Sequence, residues 1–335
     1  MRKDELYNES VETIYFGGGT PSLLSTNELQ RIFDAIYKHY KVVDIPEITL
    51  EANPDDLTPK QINNLSSSPI NRLSIGVQSF FEDDLKIMNR AHNANEAKQC
   101  LELTRAHFDN ISIDLIYGIP NMSLEKWKEN LHIAFDFNAP HISSYALTIE
   151  PKTALDTFIK KGIYPPVDDD LAFQHFNILR EETKAAGFIQ YEVSNFGKPD
   201  YFSKHNMSYW QKKSYLGIGP SAHSYYRNQR SWNVANNSKY IKAIAKGELP
   251  REVEVLTKKD QFNEYIMTGL RTIWGVSINT IELDFGLDYK THLLEASEVF
   301  KNQRLLEHDD SNCLKITKSG QFLADGIASE LFILN

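Results

Sequence analysis

The chain has 335 residues, with 41% hydrophobic and 24% charged side chains and a formal net charge of −9. That length suits one large α/β domain with a smaller appended one, and the composition is that of an ordinary globular protein. The negative charge argues against a general nucleic-acid binder, which needs a basic face to neutralise phosphates. No apolar run of membrane-spanning length occurs, and the start, Met1-Arg2-Lys3-Asp4-Glu5-Leu6, lacks the apolar core of a signal peptide, so a cytoplasmic address is expected.

Between residues 11 and 150, apolar runs alternate with amphipathic stretches at the spacing of βα units. The strand candidates are Val11–Phe16, Glu47–Ala52, Arg72–Gln78, Asn110–Tyr117 and His141–Leu147, rich in Ile, Val, Tyr and Leu as buried parallel strands are. Helices are expected between them. One starts near Ser25, Thr26 and Asn27, and another at Ser123, with Glu125 in its first turn. Such a run builds either a closed (β/α) barrel or an open doubly wound sheet, and periodicity does not choose between them.

After residue 150, Pro151, the Pro165-Pro166 pair and Asp168-Asp169-Asp170 read as a connector; Asp168 to Ala186 reads as a helix and Phe188–Val193 as a strand. Residues 200–236 are dense in Tyr, Trp, His, Asn and Ser without clean periodicity. From Ser238 the pattern is mostly helical, ending in a short hairpin around Asp309–Asn312, which suggests a winged-helix-like unit. The two cysteines, Cys100 and Cys313, exclude a disulfide framework and any multi-cysteine metal site. Each reads as a small packed hydrophobe.

Several residues could carry chemistry. Gly17-Gly18-Gly19-Thr20-Pro21-Ser22 follows the first strand; three residues without Cβ either admit a ligand to the backbone or simply make a tight turn. The next strands end in Glu51-Ala52-Asn53-Pro54 and Gly76-Val77-Gln78-Ser79, and the fourth carries Asp114. Polar groups in apolar strands are costly unless paired or ligand-bound, and parallel βα folds gather ligand chemistry at carboxyl strand ends. Four at successive rims favour a binding site. A second concentration is His205-Asn206-Met207-Ser208-Tyr209-Trp210, with His223 close behind. His205 could ligate haem iron, or could sit hydrogen-bonded within an aromatic cluster; on the residues alone the second is the commoner case.

Gly17–Ser22, Glu51-x-Asn53-Pro54, Gly76–Ser79, Asn89-Arg90-Ala91-His92 and Asp114–Gly118, with Glu150–Thr153 and Gly269-Leu270-Arg271, together resemble the coproporphyrinogen-oxidase-like radical-SAM family over nearly the whole chain. The resemblance implies a partial (β/α) barrel lacking its first strand, spanning residues 1–200. It further implies an aromatic, His-bearing linker at 201–236 with a haem site, and a mostly helical, winged-helix-like C-terminal domain at 237–335. By the same resemblance, Gly18, Gly19 and Thr20 meet the methionine end of S-adenosylmethionine. Glu51, Gln78, Arg90 and Asp114 then surround its sulfonium, carboxylate and ribose, and Ala146 is an apolar contact.

His205-Asn206-x-x-Tyr209-Trp210 is similar to the segment tied to haem binding in the HemW branch, which makes His205 the candidate iron ligand and Tyr209 or His223 the candidate second contact. That branch delivers haem to acceptor proteins such as respiratory-chain components, with peripheral membrane association as a corollary. The alternative within the family is radical-SAM oxidative decarboxylation of coproporphyrinogen III. The family also implies a [4Fe–4S] cluster on a Cys-x-x-x-Cys-x-x-Cys loop after the first barrel strand. No such motif occurs here, so the chain is expected to be an N-terminally truncated form of a longer protein.

Overall fold

A computed structural model describes residues 1–6 and 9–334. The chain divides into two compact units. One comprises Glu12–Ile36 and Asp44–Lys204; the other comprises Met1–Val11, Tyr37–Val43 and the residues from His205 onward.

The first unit is a curled seven-stranded half-barrel with helices between its strands. In chain order its elements are β1 (Val11–Phe16), α1 (Thr26–His39), β2 (Val42–Ala52), α2 (Pro59–Ser66), β3 (Arg72–Gln78), α3 (Glu82–Ile87) and α4 (Ala94–Arg105). They continue with β4 (Ile111–Tyr117), α5 (Leu124–Asp136), β5 (His141–Ala146), α6 (Ala154–Lys160), α7 (Asp169–Ala185), β6 (Ile189–Glu192) and β7 (Asn195–Gly197). The sheet order is β1-β2-β3-β4-β5-β7-β6, which leaves β1 at an edge. Strands β2 to β5 pair in parallel, while β7 runs antiparallel to both β5 and β6.

The strands alternate rather than being apolar on both faces. Ile48, Leu50, Leu73, Ile75, Val77, Ile111, Ile113 and Leu115 form one buried face. Glu47, Thr49 and Glu51, then Arg72, Ser74, Gly76 and Gln78, then Ser112 and Asp114, and His141 and Ser143 occupy the other, because successive residues of a strand point oppositely. The register aligns Glu51 with Ser74, Ser74 with Ser112 and Ser112 with His141. A polar row therefore crosses the concave face of the half-barrel.

Local chemistry places the helix starts. The Ser123 hydroxyl accepts from the Lys126 N–H, Asn93 and Glu96 form a reciprocal capping box, and Asp168 accepts from the Asp170 and Leu171 amides. Thr153 likewise caps α6, a helix inside the segment that composition marks only as a connector.

The second unit contains α8 (Lys204–Trp210, from His205 onward), β8 (His223–Tyr226), β9 (Gln229–Asn233), α9 (Asn237–Ala245), β10 (Arg251–Val255), α10 (Lys258–Leu270), β11 (Val276–Ser277), α11 (Ile278–Thr280), α12 (Leu287–Asn302), β12 (Leu306–His308), β13 (Cys313–Ile316) and α13 (Ala324–Glu330). Helices α10 and α12 with the small sheet β11-β13-β12 make the expected winged-helix-like body, closed over Phe262, Ile266, Leu293, Leu314 and Ile327. The aromatic stretch is more ordered than its composition suggests: β8, β9 and β10 form a second antiparallel sheet. Strand β10 falls where a mostly helical pattern was expected; its Arg-Glu-Val-Glu-Val alternation is the signal for it.

Candidate binding cavity at the half-barrel rim

A cavity of about 160 Å³ opens at the carboxyl ends of β1 to β4, lined by Gly19, Thr20, Pro21, Ser22, Glu51, Ala52, Asn53, Ser74, Gly76, Gln78, Arg90 and Asp114. Of the cofactor residues expected from sequence, it gathers Gly19, Thr20, Glu51, Gln78, Arg90 and Asp114. Gly18 stands behind it, its N–H donating to Glu51 Oε2 at 3.2 Å. Ala146 ends β5, exposed and outside the lining. His205 and Tyr209 belong to the other unit.

The glycine loop is held from β2. Tyr15 Oη donates to Glu51 Oε1 at 2.6 Å while Gly18 N–H takes Oε2, so one carboxylate fixes both the end of β1 and the turn after it. Gly18 and Gly19 have φ of +71° and +62°, with nothing within 4 Å of where a Cβ would stand. Here the turn and ligand-approach readings coincide: the loop needs left-handed backbone, and it leaves open space above it. Tyr15 was not among the residues expected. Its position two before Gly17 in a short strand is the only sequence signal for it.

Gln78 has φ of +66°, where the β3–β4 register slips. A non-glycine residue in this region costs roughly 1–3 kcal/mol and persists only when its surroundings over-determine it. Arg90 follows Asn89, another left-handed residue at φ of +52°. Arg90 Nη2 donates to Asn53 Oδ1 at 2.7 Å, whereas its buried Nε has no hydrogen-bond partner. The guanidinium is thus only partly satisfied, and burial lowers its pKa. A buried donor without an acceptor is expensive, so an anionic group entering here would be bound with charge assistance.

Asp114 sits opposite. It accepts from Ser74 Oγ at 3.1 and 3.2 Å and from Ser112 Oγ at 3.3 Å. Burial pushes its carboxyl up to about 7, against the lowering pull of Ser74 and Arg72. Beneath it, Ser112 Oγ meets His141 Nδ1 at 2.8 Å and His141 Nε2 meets Tyr191 Oη at 2.7 Å, with His141 fully buried and its pKa well lowered by burial. Ser74, Ser112 and His141 were not expected as site residues. Ser74 lies at period two with Gln78 and Ser112 at period two with Asp114, the pattern that could have found those two, whereas His141 is on a different strand from either.

Gly76 tests the fit of the cavity. A Cβ there would come within 2.8 Å of Gln78 Nε2 and 3.6 Å of Arg90 Nη2. Because the first clash is with the end of a flexible amide, Gly76→Ala is expected to fold normally. By displacing Gln78 it should weaken ligand binding about tenfold, in line with overpacking costs of about 1–3 kcal/mol. Isothermal titration beside a melting curve separates these effects, and unchanged affinity would show that Gln78 does not shape the cavity.

Comparison with known proteins adds the lineage. Residues 2–134 match the Radical SAM superfamily and residues 256–323 the HemN C-terminal domain. The "Heme chaperone HemW" of Lactococcus lactis subsp. lactis (strain IL1403) is 35% identical over 98% of this chain and 86% of its own length. The chain belongs to the HemW family. The HemW of Bacillus subtilis (strain 168) is 33% identical over 95% of the chain and 84% of its own. Coproporphyrinogen III oxidase (HemN) from Escherichia coli has the same fold, with a TM-score of 0.82 at 21% identity, covering 97% of this chain and 78% of that one. This agrees with the expected partial barrel and C-terminal unit.

Two groups implied by this lineage fare differently against the residues present. S-Adenosylmethionine fits: its carboxylate suits the half-satisfied Arg90, and its ammonium and hydroxyl groups suit Glu51 and Asp114. At about 160 Å³ the cavity encloses only part of such a ligand, since sites for drug-sized molecules run to ~300–1,000 Å³. A three-thiolate [4Fe–4S] cluster does not fit. Cys100 is buried in α4, its thiol pushed up to about 12 by burial, and Cys313 begins β13. No group of three His, Cys, Asp or Glu side chains among the described residues could hold a metal ion, and no described helix is long and apolar enough to cross a membrane.

Proposed function

We propose that this chain binds S-adenosylmethionine in the rim cavity and haem at α8, and that it carries haem to acceptor proteins, respiratory-chain components among them. The setting is the cytoplasm, with peripheral contact to membranes where the acceptors lie. The domain limits that go with this reading are a partial barrel over 1–200, a haem-bearing segment over 201–236 and a C-terminal domain over 237–335.

The observation that carries the cofactor half is the guanidinium of Arg90, buried at Nε without a partner and facing Glu51 and Asp114 across an open cavity. Arg90 would take the carboxylate of S-adenosylmethionine. Glu51, already committed to Tyr15 and Gly18, would hold the glycine loop against the methionine end, with Gly18, Gly19 and Thr20 supplying backbone. Gln78 and Asp114 would meet the ribose and sulfonium surroundings, with Ala146 as an apolar neighbour. The two cysteines of this chain, Cys100 and Cys313, do not supply the three thiolates that a radical step needs.

The haem half is supported by the name of the HemW relatives and by the surroundings of His205. Its Nε2 lies 3.0 Å from Tyr209 Oη, and the two rings meet edge to face at 4.9 Å. An imidazole in that position can ligate iron while the tyrosine packs on the macrocycle. His205→Ala should remove the ligand-shifted Soret band formed when the anaerobic protein is titrated with haemin. An unaltered spectrum would sink the assignment of His205. Loss of propionate carbon from added coproporphyrinogen III would instead favour the decarboxylase reading.

A further inference from the structure

The second unit contains a cavity of about 410 Å³ that the rim site does not use. Its floor is one face of the β8–β9–β10 sheet: Ser224 and Tyr226, Gln229 and Ser231, Arg251 and Val253 alternate with residues of the opposite face, and the register places Ser224 beside Ser231 and Ser231 beside Val253. Tyr215 and Leu216 form one wall, and the segment carrying Arg2, Glu5 and Leu6 another.

Two features of this cavity point to a ligand. The first is charge. Three arginines, Arg2, Arg227 and Arg251, line it against one carboxylate, Glu5, in a chain whose net charge is −9. Glu5 accepts from both Arg2 Nη2 at 2.7 Å and Arg251 Nη1 at 2.8 Å, so one anion is divided between two guanidinium groups. Arg2 is only 6% exposed; its Nη1 reaches Gly217 O and Ser224 Oγ, yet its buried Nε has no partner. Arg2 is the buried member of the three, whereas Arg227 and Arg251 are exposed and open to an anion arriving from solvent.

The second feature is shape. Val253 is 52% exposed on the floor, Tyr226 stacks under Arg227, and Tyr215 presents a ring at the wall. The rings continue outward from the wall: Tyr215 meets Tyr209 at 4.7 Å between centroids, and Tyr209 meets His205 at 4.9 Å. An aromatic path therefore leads from a histidine to a cationic, partly apolar cavity within one compact unit.

We propose that this cavity binds the carboxylate-bearing edge of a tetrapyrrole, with Arg227 and Arg251 taking the propionate groups while the macrocycle lies along Tyr215 and Tyr209. This rests on the haem reading of His205 and specifies its other half: the arginines hold the acid edge, and the histidine addresses the iron. Arginine suits this role because its planar fork matches a carboxylate bidentately and stacks on aromatic rings.

Iron-free protoporphyrin IX separates the two halves, since it carries the propionates without the metal. Binding is followed by tryptophan quenching and porphyrin fluorescence on the whole chain, using protoporphyrin IX and its dimethyl ester. The acid is expected to bind at least tenfold more tightly than the ester, and His205→Ala is expected to leave that difference intact. Arg227→Asn and Arg251→Gln should together erase it. Arg227 is exposed at φ of +58°, a backbone state that asparagine tolerates, so Arg227→Asn alone tests the charge without threatening the fold. Equal binding of acid and ester, or unchanged affinity in the double variant, overturns the proposal. Excess inorganic phosphate that displaces the porphyrin completely would show a general anion site and overturn it as well. Haemin binding that is indifferent to His205 while the acid–ester difference persists would fail the iron assignment and spare the carboxylate site.

Discussion

Replacing Arg90 with alanine is expected to abolish measurable S-adenosylmethionine binding. A bidentate, charge-assisted contact to a carboxylate is worth about 3 kcal/mol, roughly a hundredfold in affinity. The loss extends further because Arg90 also holds the Asn53 amide, one of the lining residues. Arg90→Lys should recover only a small part, since an ammonium cannot form the fork. Isothermal titration supplies the affinities. A thermal melt without ligand should change little, because removing a donor whose Nε is already unpartnered relieves a cost as well as breaking a bond. Tight binding by Arg90→Ala would move the cofactor site away from this cavity.

The second large effect concerns pH and Asp114. Its carboxyl is raised to about 7 from 3.8 by burial, within a setting that includes Ser74, Arg72, Glu51 and Ser112. Because the folded state binds the proton more tightly than the unfolded chain, the folded state holds more protons between those values. This contribution to stability is therefore fully present below about 4 and declines as pH rises through about 7. Binding of a ligand that donates to the carboxylate should run the other way, tightening as the proton leaves. Asp114→Asn should flatten both profiles and weaken binding at pH 8 more than at pH 6. Denaturant melts and titrations at the two pH values check this. A ligand affinity independent of pH in the parent protein would place Asp114 outside the contact.

The polar row behind Asp114 explains what the sequence revealed and what it hid. Strand positions were legible because each apolar run had the length of a strand, so β1 and β3 fall on their expected bounds and β4 and β5 within a residue. Strand β2 begins at Val42 rather than Glu47, and its register with β3 starts only at Thr49, so on that side Pro46 costs no ladder bond. The cavity residues were recoverable from motif order. Their supports were not, because Tyr15, Ser74, Ser112 and His141 act through contacts across strands. Only the register turns the alternations in Arg72–Gln78 and Ile111–Tyr117 into one connected layer. The β8–β10 sheet was hidden for a different reason: its strands interleave Ser, Tyr, Arg and Gln on both faces, so hydrophobic periodicity is weak even though the backbone pairs regularly.

The environments of the two cysteines make the protein selectively addressable. Cys100 is buried in α4 with its thiol pushed up to about 12, so thiolate forms there only rarely at neutral pH. Cys313, partly exposed at the start of β13, is left as the one thiol open to a maleimide or a spin label. A reporter can thus be fixed to the winged-helix-like body of the unmutated chain. It could follow ligand arrival in the β8–β10 cavity of the same unit while the rim cavity remains chemically untouched.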